Sequence, residues 1–177
     1  MDWLSRTELL LGQERLGQLK NAHVLVAGLG GVGAYAAEQL CRAGIGELTI
    51  IDGDRVDVTN KNRQLPALDS NIGKAKAEIM AARFRDINPD IRLHVINDFI
   101  KDERMIEILE MAKYDYVVDA IDTLAPKIFL IYHSLQKGYR IVSSMGAGGQ
   151  MPLPLYDVVK KVRDTAEWFF KQLKVEN

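Results

Sequence analysis

Residues 23–54, HVLVAGLGGVGAYAAEQLCRAGIGELTIIDGD, constrain the fold more than any other stretch of the chain. Residues 24–27 (VLVA) form a short apolar run of the kind found in parallel strands buried on both faces. Gly28-Leu29-Gly30-Gly31-Val32-Gly33 follows directly, then helix formers over 34–42 that Gly44 and Gly46 bring to an end. A second apolar run over 48–51 closes on Asp52, 19 positions beyond Gly33. Strand, glycine turn, helix, strand and acidic residue, in that order, make the βαβ fingerprint of nucleotide binding in the context it requires. Gly28, Gly30, Gly31 and Gly33 let the backbone approach a phosphate where free N–H groups and the helix dipole favour negative charge. Asp52 is placed to accept hydrogen bonds from ribose hydroxyls. The bland alternative is a helix-packing turn that binds nothing, and the fingerprint alone does not name the nucleotide.

Around this unit the pattern predicts an α/β chain, Rossmann-like and doubly wound, its mainly parallel sheet covered by helices on both faces. An N-terminal helical arm is expected over 1–22, a nucleotide-binding domain over 23–150 and a C-terminal amphipathic helix within 151–177. In the arm, Leu4, Leu9, Leu10, Leu11, Leu16 and Leu19 recur at helical spacing, interrupted by Gly12 and Gly17, which predicts two short helices. Arg6 there reads as a solvated charge or as a phosphate-facing one. Past Asp52, the segment GDRVDVTNKNRQ sits where the strand's carboxyl end opens a ligand crevice. Asp54, Asn60, Asn62, Arg63 and Gln64 suit phosphate oxygens and a base, because amides orient by neutral hydrogen bonds and arginine offers a planar fork of donors.

A helix is expected over 71–88, with Ile72, Ala75, Ile79, Ala82 and Phe84 on its apolar side and Lys74 in its first turn. A cation there opposes the helix dipole, so Lys74 reads either as an ordinary surface lysine or as one that answers to an anion nearby. Strands are expected over 91–96, 114–120 and 139–144, and helices over 102–112 (Met105, Ile106, Leu109 and Met111 inward) and 124–137. His94 reads as a strand residue of the sheet edge, and so do His23 and His133, neither of which has an acidic or cysteine partner at metal-ligand spacing. Asp119 ends an apolar strand. Asp122 and Thr123 sit at a strand-to-helix turn, where either would cap the helix, and Asp122 would in addition hold Mg2+ against a triphosphate. A glycine-rich exit (145–150), a proline connector (151–154) and an amphipathic helix (156–173) complete the chain.

Net charge is −1 over 177 residues, so no global field draws nucleic acid or membrane. Cys41 is alone and reads as a small buried residue, so no disulfide within the chain and no four-cysteine zinc site is expected. With no apolar run of membrane-spanning length, a cytoplasmic protein is expected.

GLGGVG, IDGD, VTNKNRQ, NIGKAKA and VDAIDT, in this order and spacing, resemble the ubiquitin-activating E1-like superfamily of ATP-dependent adenylating enzymes. RDINPDI, YDYVVDAIDT and SSMGAGGQ are similar to its tRNA threonylcarbamoyladenosine dehydratase branch, and the likeness runs from about Ser5 to Gln150. The resemblance implies ATP on the glycine turn, with Asp52 on the ribose. Asn62, Arg63, Gln64 and Lys74 would hold the triphosphate, with Arg63, Lys74 and Asp122 as the catalytic set and Mg2+ on Asp122. Arg6 would reach a neighbouring subunit's ATP in a homodimer. The implied acceptor is the carboxylate of threonylcarbamoyladenosine in tRNA, activated as an acyl-adenylate and then closed into a ring. A sulfur- or electron-transfer protein is an implied further partner. Readings kept beside this one are an activator of a ubiquitin-like sulfur carrier, which the lack of CxxC pairs disfavours, a catalytically incomplete nucleotide-binding module, and a nicotinamide-dependent oxidoreductase. After GAGGQ the superfamily pattern continues with an aspartate-proline step, a strand pair and a basic segment. Here MPLPLYDVV follows, so the substrate side is expected to be shortened, or residues are missing between Gln150 and Tyr156.

Overall fold

A computed structural model describes residues 2–100 and 102–144. The glycine-rich exit, the connector and the C-terminal helix expected beyond Ser144 lie outside these residues. Five strands among the described residues form one sheet: β1 His23–Ala27, β2 Glu47–Ile51, β3 Arg92–Ile96, β4 Tyr116–Asp119 and β5 Arg140–Ser143. Their spatial order is β3-β2-β1-β4-β5, and every neighbouring pair is parallel. The helices are α1 Ser5–Leu11, α2 Gln13–Asn21, α3 Gly33–Ala43, α4 Lys76–Ile87, α5 Asp102–Glu110 and α6 Leu124–Gln136.

Alternation along the strands sorts the core into two layers. Val24, Val26, Leu48 and Ile50 pack with Ala37 and Cys41 of α3 and with Met80 and Phe84 of α4. Leu25, Ala27 and Ile51 pack instead with Met105, Ile108 and Leu109 of α5 and Leu130 of α6. Both faces are therefore covered, and the doubly wound expectation holds. The chain steps outward from β1 to β2 and β3, then returns to the other side of β1 as β4. That reversal leaves a crevice at the carboxyl ends of β1 and β4, where ligands bind in open α/β sheets.

Local departures have physical causes. The helix expected over 71–88 starts only at Lys76, because Gly73 turns the chain at φ +82 and Ala75 is extended. Its buried stripe is consequently Ala77, Met80, Ala81 and Phe84, while Ile72 and Ala82 are exposed. In α5 the inward set is Met105, Ile108 and Leu109, the i, i+3, i+4 face, and Met111 lies past the helix end. Gly12 separates the arm's two helices, but Gly17 sits within α2. Of the arm's leucines, Leu4 and Leu16 are buried, whereas Leu9 and Leu10 are exposed. Leu4 packs on Gly44, where a Cβ would lie 2.8 Å from its methyl carbons. The arm thus meets the core beside the loop entering β2, at the amino ends of the strands.

Candidate functional site at the carboxyl ends of β1 and β4

The glycine turn is held from below. Gly28 N–H donates to the Ile51 carbonyl at 2.8 Å, and Ala120 N–H donates to the Ala27 carbonyl at 2.8 Å, tying the turn to both neighbouring strands. Gly28 takes φ +91, and a Cβ on Gly33 would fall 1.8 Å from the Gly28 carbonyl oxygen, so α3 seats on the turn only without a side chain there. Gly30 and Gly31 differ, because among the described residues a Cβ on either would meet nothing closer than 3.4 Å. Packing among those residues does not demand glycine at the two positions, whereas a ligand lying on the turn would. At the head of α3, Val32 is the N-cap and makes no side-chain cap bond, which leaves the positive end of the helix dipole facing the crevice.

Asp52 closes β2 and grips the same turn. One carboxylate oxygen accepts Leu29 N–H at 2.7 Å and the other accepts Asp54 N–H at 2.8 Å. Burial pushes its carboxyl above the usual aspartate range, opposed by those two bonds and by nearby Lys76. Asp52 therefore shapes the turn, and each of its oxygens keeps a further lone pair for another donor. Asp54 pairs with Lys76 Nζ at 3.0 Å, and this lysine side chain is only 5% exposed. Lys76, not Lys74, is the buried cation of the NIGKAKA segment. Lys74 is exposed and precedes the helix, so the dipole argument made for it does not apply.

The NKNRQ segment comes back over the turn. Asp57 and Asn60 form a reciprocal capping box on the short 3-10 helix Val58–Asn60, which spends the Asn60 side chain on the backbone N–H of Asp57. Arg63 Nη1 donates to the Asn62 amide oxygen at 3.0 Å and to the Thr59 carbonyl at 3.2 Å. Arg63 Cγ lies 3.4 Å from where a Gly31 Cβ would stand, and Gln64 Nε2 lies 3.8 Å from the same point on Gly30. Gln64 Oε1 is buried with no hydrogen-bond partner among the described residues. A buried acceptor left unpaired is costly, and the amide that carries it lies beside the turn.

Across the crevice, Asp122 is exposed and makes no hydrogen bond or ion pair among the described residues. Neither it nor Thr123 caps α6: Thr123 is the N-cap and makes no side-chain bond. The capping expectation is overturned, and Asp122 is left as an unclaimed carboxylate. Beside it lies a buried network that sequence reasoning missed. Asp119, fully buried, accepts from Lys127 Nζ at 2.5 Å and from Ser143 Oγ at 2.5 Å, and Lys127 donates also to the Ser144 carbonyl at 2.8 Å. A charge at the end of an apolar strand was the available signal, because a buried carboxylate needs a cation. Arg6 is not part of this site in its own chain. It is two residues from Leu4, which packs at the far end of α3, about 16 Å of helix from Gly33.

These features define the class: a doubly wound α/β protein whose crevice is built from a glycine turn, an acidic β2 terminus and an Asn-Arg-Gln loop. The chain belongs to the ThiF family, whose model matches residues 4–156. It is 44% identical over 161 residues to the tRNA threonylcarbamoyladenosine dehydratase of Escherichia coli strain K12, covering 89% of this chain and 60% of that protein. It is also 44% identical over 146 residues to the enzyme of the same name from Bacillus subtilis strain 168, covering 82% of this chain and 57% of that protein. The crystal structure of the E. coli dehydratase in complex with ATP superposes with a TM-score of 0.80 at 45% identity, covering 84% of this chain and 61% of that one. The chain thus spans about three fifths of the length of these relatives.

Proposed function

We propose that this chain binds ATP in the β1/β4 crevice and adenylates a carboxylate, that of threonylcarbamoyladenosine in tRNA, which then closes into its cyclic form by loss of the adenylate. The observation that carries the reading is the placement of Arg63 and Gln64 against Gly31 and Gly30, with a buried amide oxygen unpaired. The named relatives and the ATP-bound dehydratase structure support the choice of nucleotide and acceptor. In this reading the turn and the head of α3 take the phosphates, and Asp52 takes the ribose. Arg63 and Lys74 spread the charge that develops as the acyl oxygen bonds to the α-phosphorus and the bond to pyrophosphate breaks. Asn62 fixes the Arg63 guanidinium through the bond already present. The Asp122 carboxylate fits Mg2+, which commonly uses one or two carboxylates with water and phosphate oxygens and would neutralise phosphate charge there. Arg6, exposed and remote from its own turn, is assigned to the crevice of a second copy in a homodimer.

The test is ATP–pyrophosphate exchange with Mg2+, with and without tRNA carrying threonylcarbamoyladenosine. Exchange that depends on the modified tRNA is expected. Exchange driven instead by a protein with a diglycine terminus would transfer the site to a ubiquitin-like carrier. No exchange, with ATP still bound, would reduce the chain to a nucleotide-binding module.

A further inference from the structure

At the amino ends of the strands, opposite the glycine turn, three side chains converge that sequence spacing had kept apart. His23 of β1, Glu47 of β2 and His94 of β3 each offer one ligand atom, and these atoms lie within 4.8 Å of one another. Register explains the meeting. His23 pairs with Glu47 across β1 and β2, and His94 pairs with Thr49 across β2 and β3. The expectation that His23 lacks an acidic partner is therefore overturned, and His94, on the edge strand as expected, shares that partner. The partner comes from the neighbouring strand rather than from nearby in the chain.

The geometry of the three atoms is specific. Glu47 Oε1 lies 2.8 Å from His94 Nε2 and 3.6 Å from His23 Nδ1. The other ring nitrogen of His23, Nε2, is engaged by Thr49 Oγ1 at 2.8 Å, which fixes the ring with Nδ1 toward the carboxylate. Tyr114 packs edge-on against that ring at 4.7 Å, so the imidazole is clamped on a second side. Arg92 takes the remaining carboxylate oxygen, Oε2, at 3.0 Å, which leaves Oε1 to the histidines. Bonds of about 2.0–2.2 Å to a four-coordinate cation put neighbouring ligand atoms roughly 3.3–3.6 Å apart. The His23 separation, 3.6 Å, lies in that range, and the His94 separation, 2.8 Å, is a hydrogen bond that must open by about 0.5 Å as the ion enters. Nearby charge is mixed. Arg92 opposes a cation but is 61% exposed and bound to the far oxygen, while Asp115, which accepts the backbone N–H of His23 at 2.8 Å, favours one.

We propose that His23 Nδ1, Glu47 Oε1 and His94 Nε2 form a binding site for a divalent first-row cation of the zinc class. Two imidazoles and one carboxylate are the donor set such ions prefer, and water completes the coordination. The ion replaces the proton shared between His94 and Glu47, and Thr49 orients His23 from behind. Because the donors sit on three hydrogen-bonded strands, the site is rigid before the ion arrives, and binding pins the amino ends of β1, β2 and β3 together. The site is independent of what the crevice at the other end of the sheet binds.

Zn2+ titrated into chelator-treated protein without nucleotide tests it, by calorimetry and by thermal melting. Expected are one Zn2+ per chain and a raised melting midpoint. His94→Ala and Glu47→Gln should each weaken binding by about a hundredfold or more, since losing even an outer-shell partner costs about 10–100-fold. Asp122→Ala, at the opposite end, should bind Zn2+ like the parent chain. Co2+ should give visible absorption bands that His94→Ala abolishes. His94→Gln serves if the alanine variant does not fold. Absent stoichiometric binding, or affinity unchanged by either substitution, would overturn the site.

Discussion

An unpaired buried amide oxygen costs about 1–3 kcal/mol, and Gln64 Oε1 is in that condition, on a side chain whose Nε2 lies beside Gly30. Stability and binding therefore pull apart at this residue. Gln64→Met keeps the volume and removes the orphaned acceptor. It should leave the urea midpoint unchanged or raise it, while ATP affinity by calorimetry falls about tenfold, the worth of one hydrogen bond. A drop in both would show that Gln64 is structural. Arg63→Ala and Asp122→Ala are both at exposed positions and should abolish pyrophosphate release with folding intact; unchanged release in both would remove the assigned site. Residue types were readable from the chain here, but their engagements were not. That Asn60 serves a capping box and that Lys76 rather than Lys74 is buried depend on where the 3-10 turn and Gly73 aim the backbone. Cys41 was legible from its apolar setting alone. It is fully buried, donates to the Phe84 carbonyl, and burial pushes its thiol up to about 11.

Helices α3 and α4 share more than apolar contact. Glu38 of α3 accepts from Arg83 of α4 at 2.5 and 3.0 Å and from Arg42 of its own helix at 2.7 Å. The Arg83 hydrogen bonds, aided by Arg42, hold its carboxyl below the usual range. A lowered folded value means that the stabilisation is complete above the ordinary value of 4.5 and is lost as pH falls through the lowered one. Glu38→Gln should flatten the stability–pH profile below that point. It should also cost about 1 kcal/mol at neutral pH, a modest figure because both guanidinium groups are about half exposed and screened. Denaturant midpoints between pH 3 and 7, on about half-unit steps, check the sign; a steeper acid loss in the variant would refute the pairing. At this scale the sequence spoke clearly where periodicity was long, as in β1, α3 and β2. It misled at 71–75, where one left-handed glycine delayed a helix whose apolar residues already had helical spacing.

For the whole molecule, a ligand that binds only the folded chain adds about 2.7 kcal/mol at a hundredfold excess over its Kd. ATP with Mg2+ should accordingly raise the melting midpoint by roughly 5–10 °C, given the shift per kcal/mol typical of a domain this size. Arg63→Ala should shrink that rise, and an equal rise with NADH in place of ATP would reopen the nicotinamide reading. The parallel sense of the sheet was implied by the βαβ grammar. The pairing of β1 with β4 was not, because no local pattern reports which distant strand lies next door. Val24 meets Tyr116 in register, 92 positions along the chain. Local units such as β1-α3-β2 can condense early, with short loops to close. The crevice cannot, since one of its walls waits for a far later strand, and long-range closure is the slow step in folding. In time, then, the two ends of this sheet have different histories: the three donors of the histidine end are all present once the chain reaches β3, while the glycine turn has no opposite wall until β4 arrives.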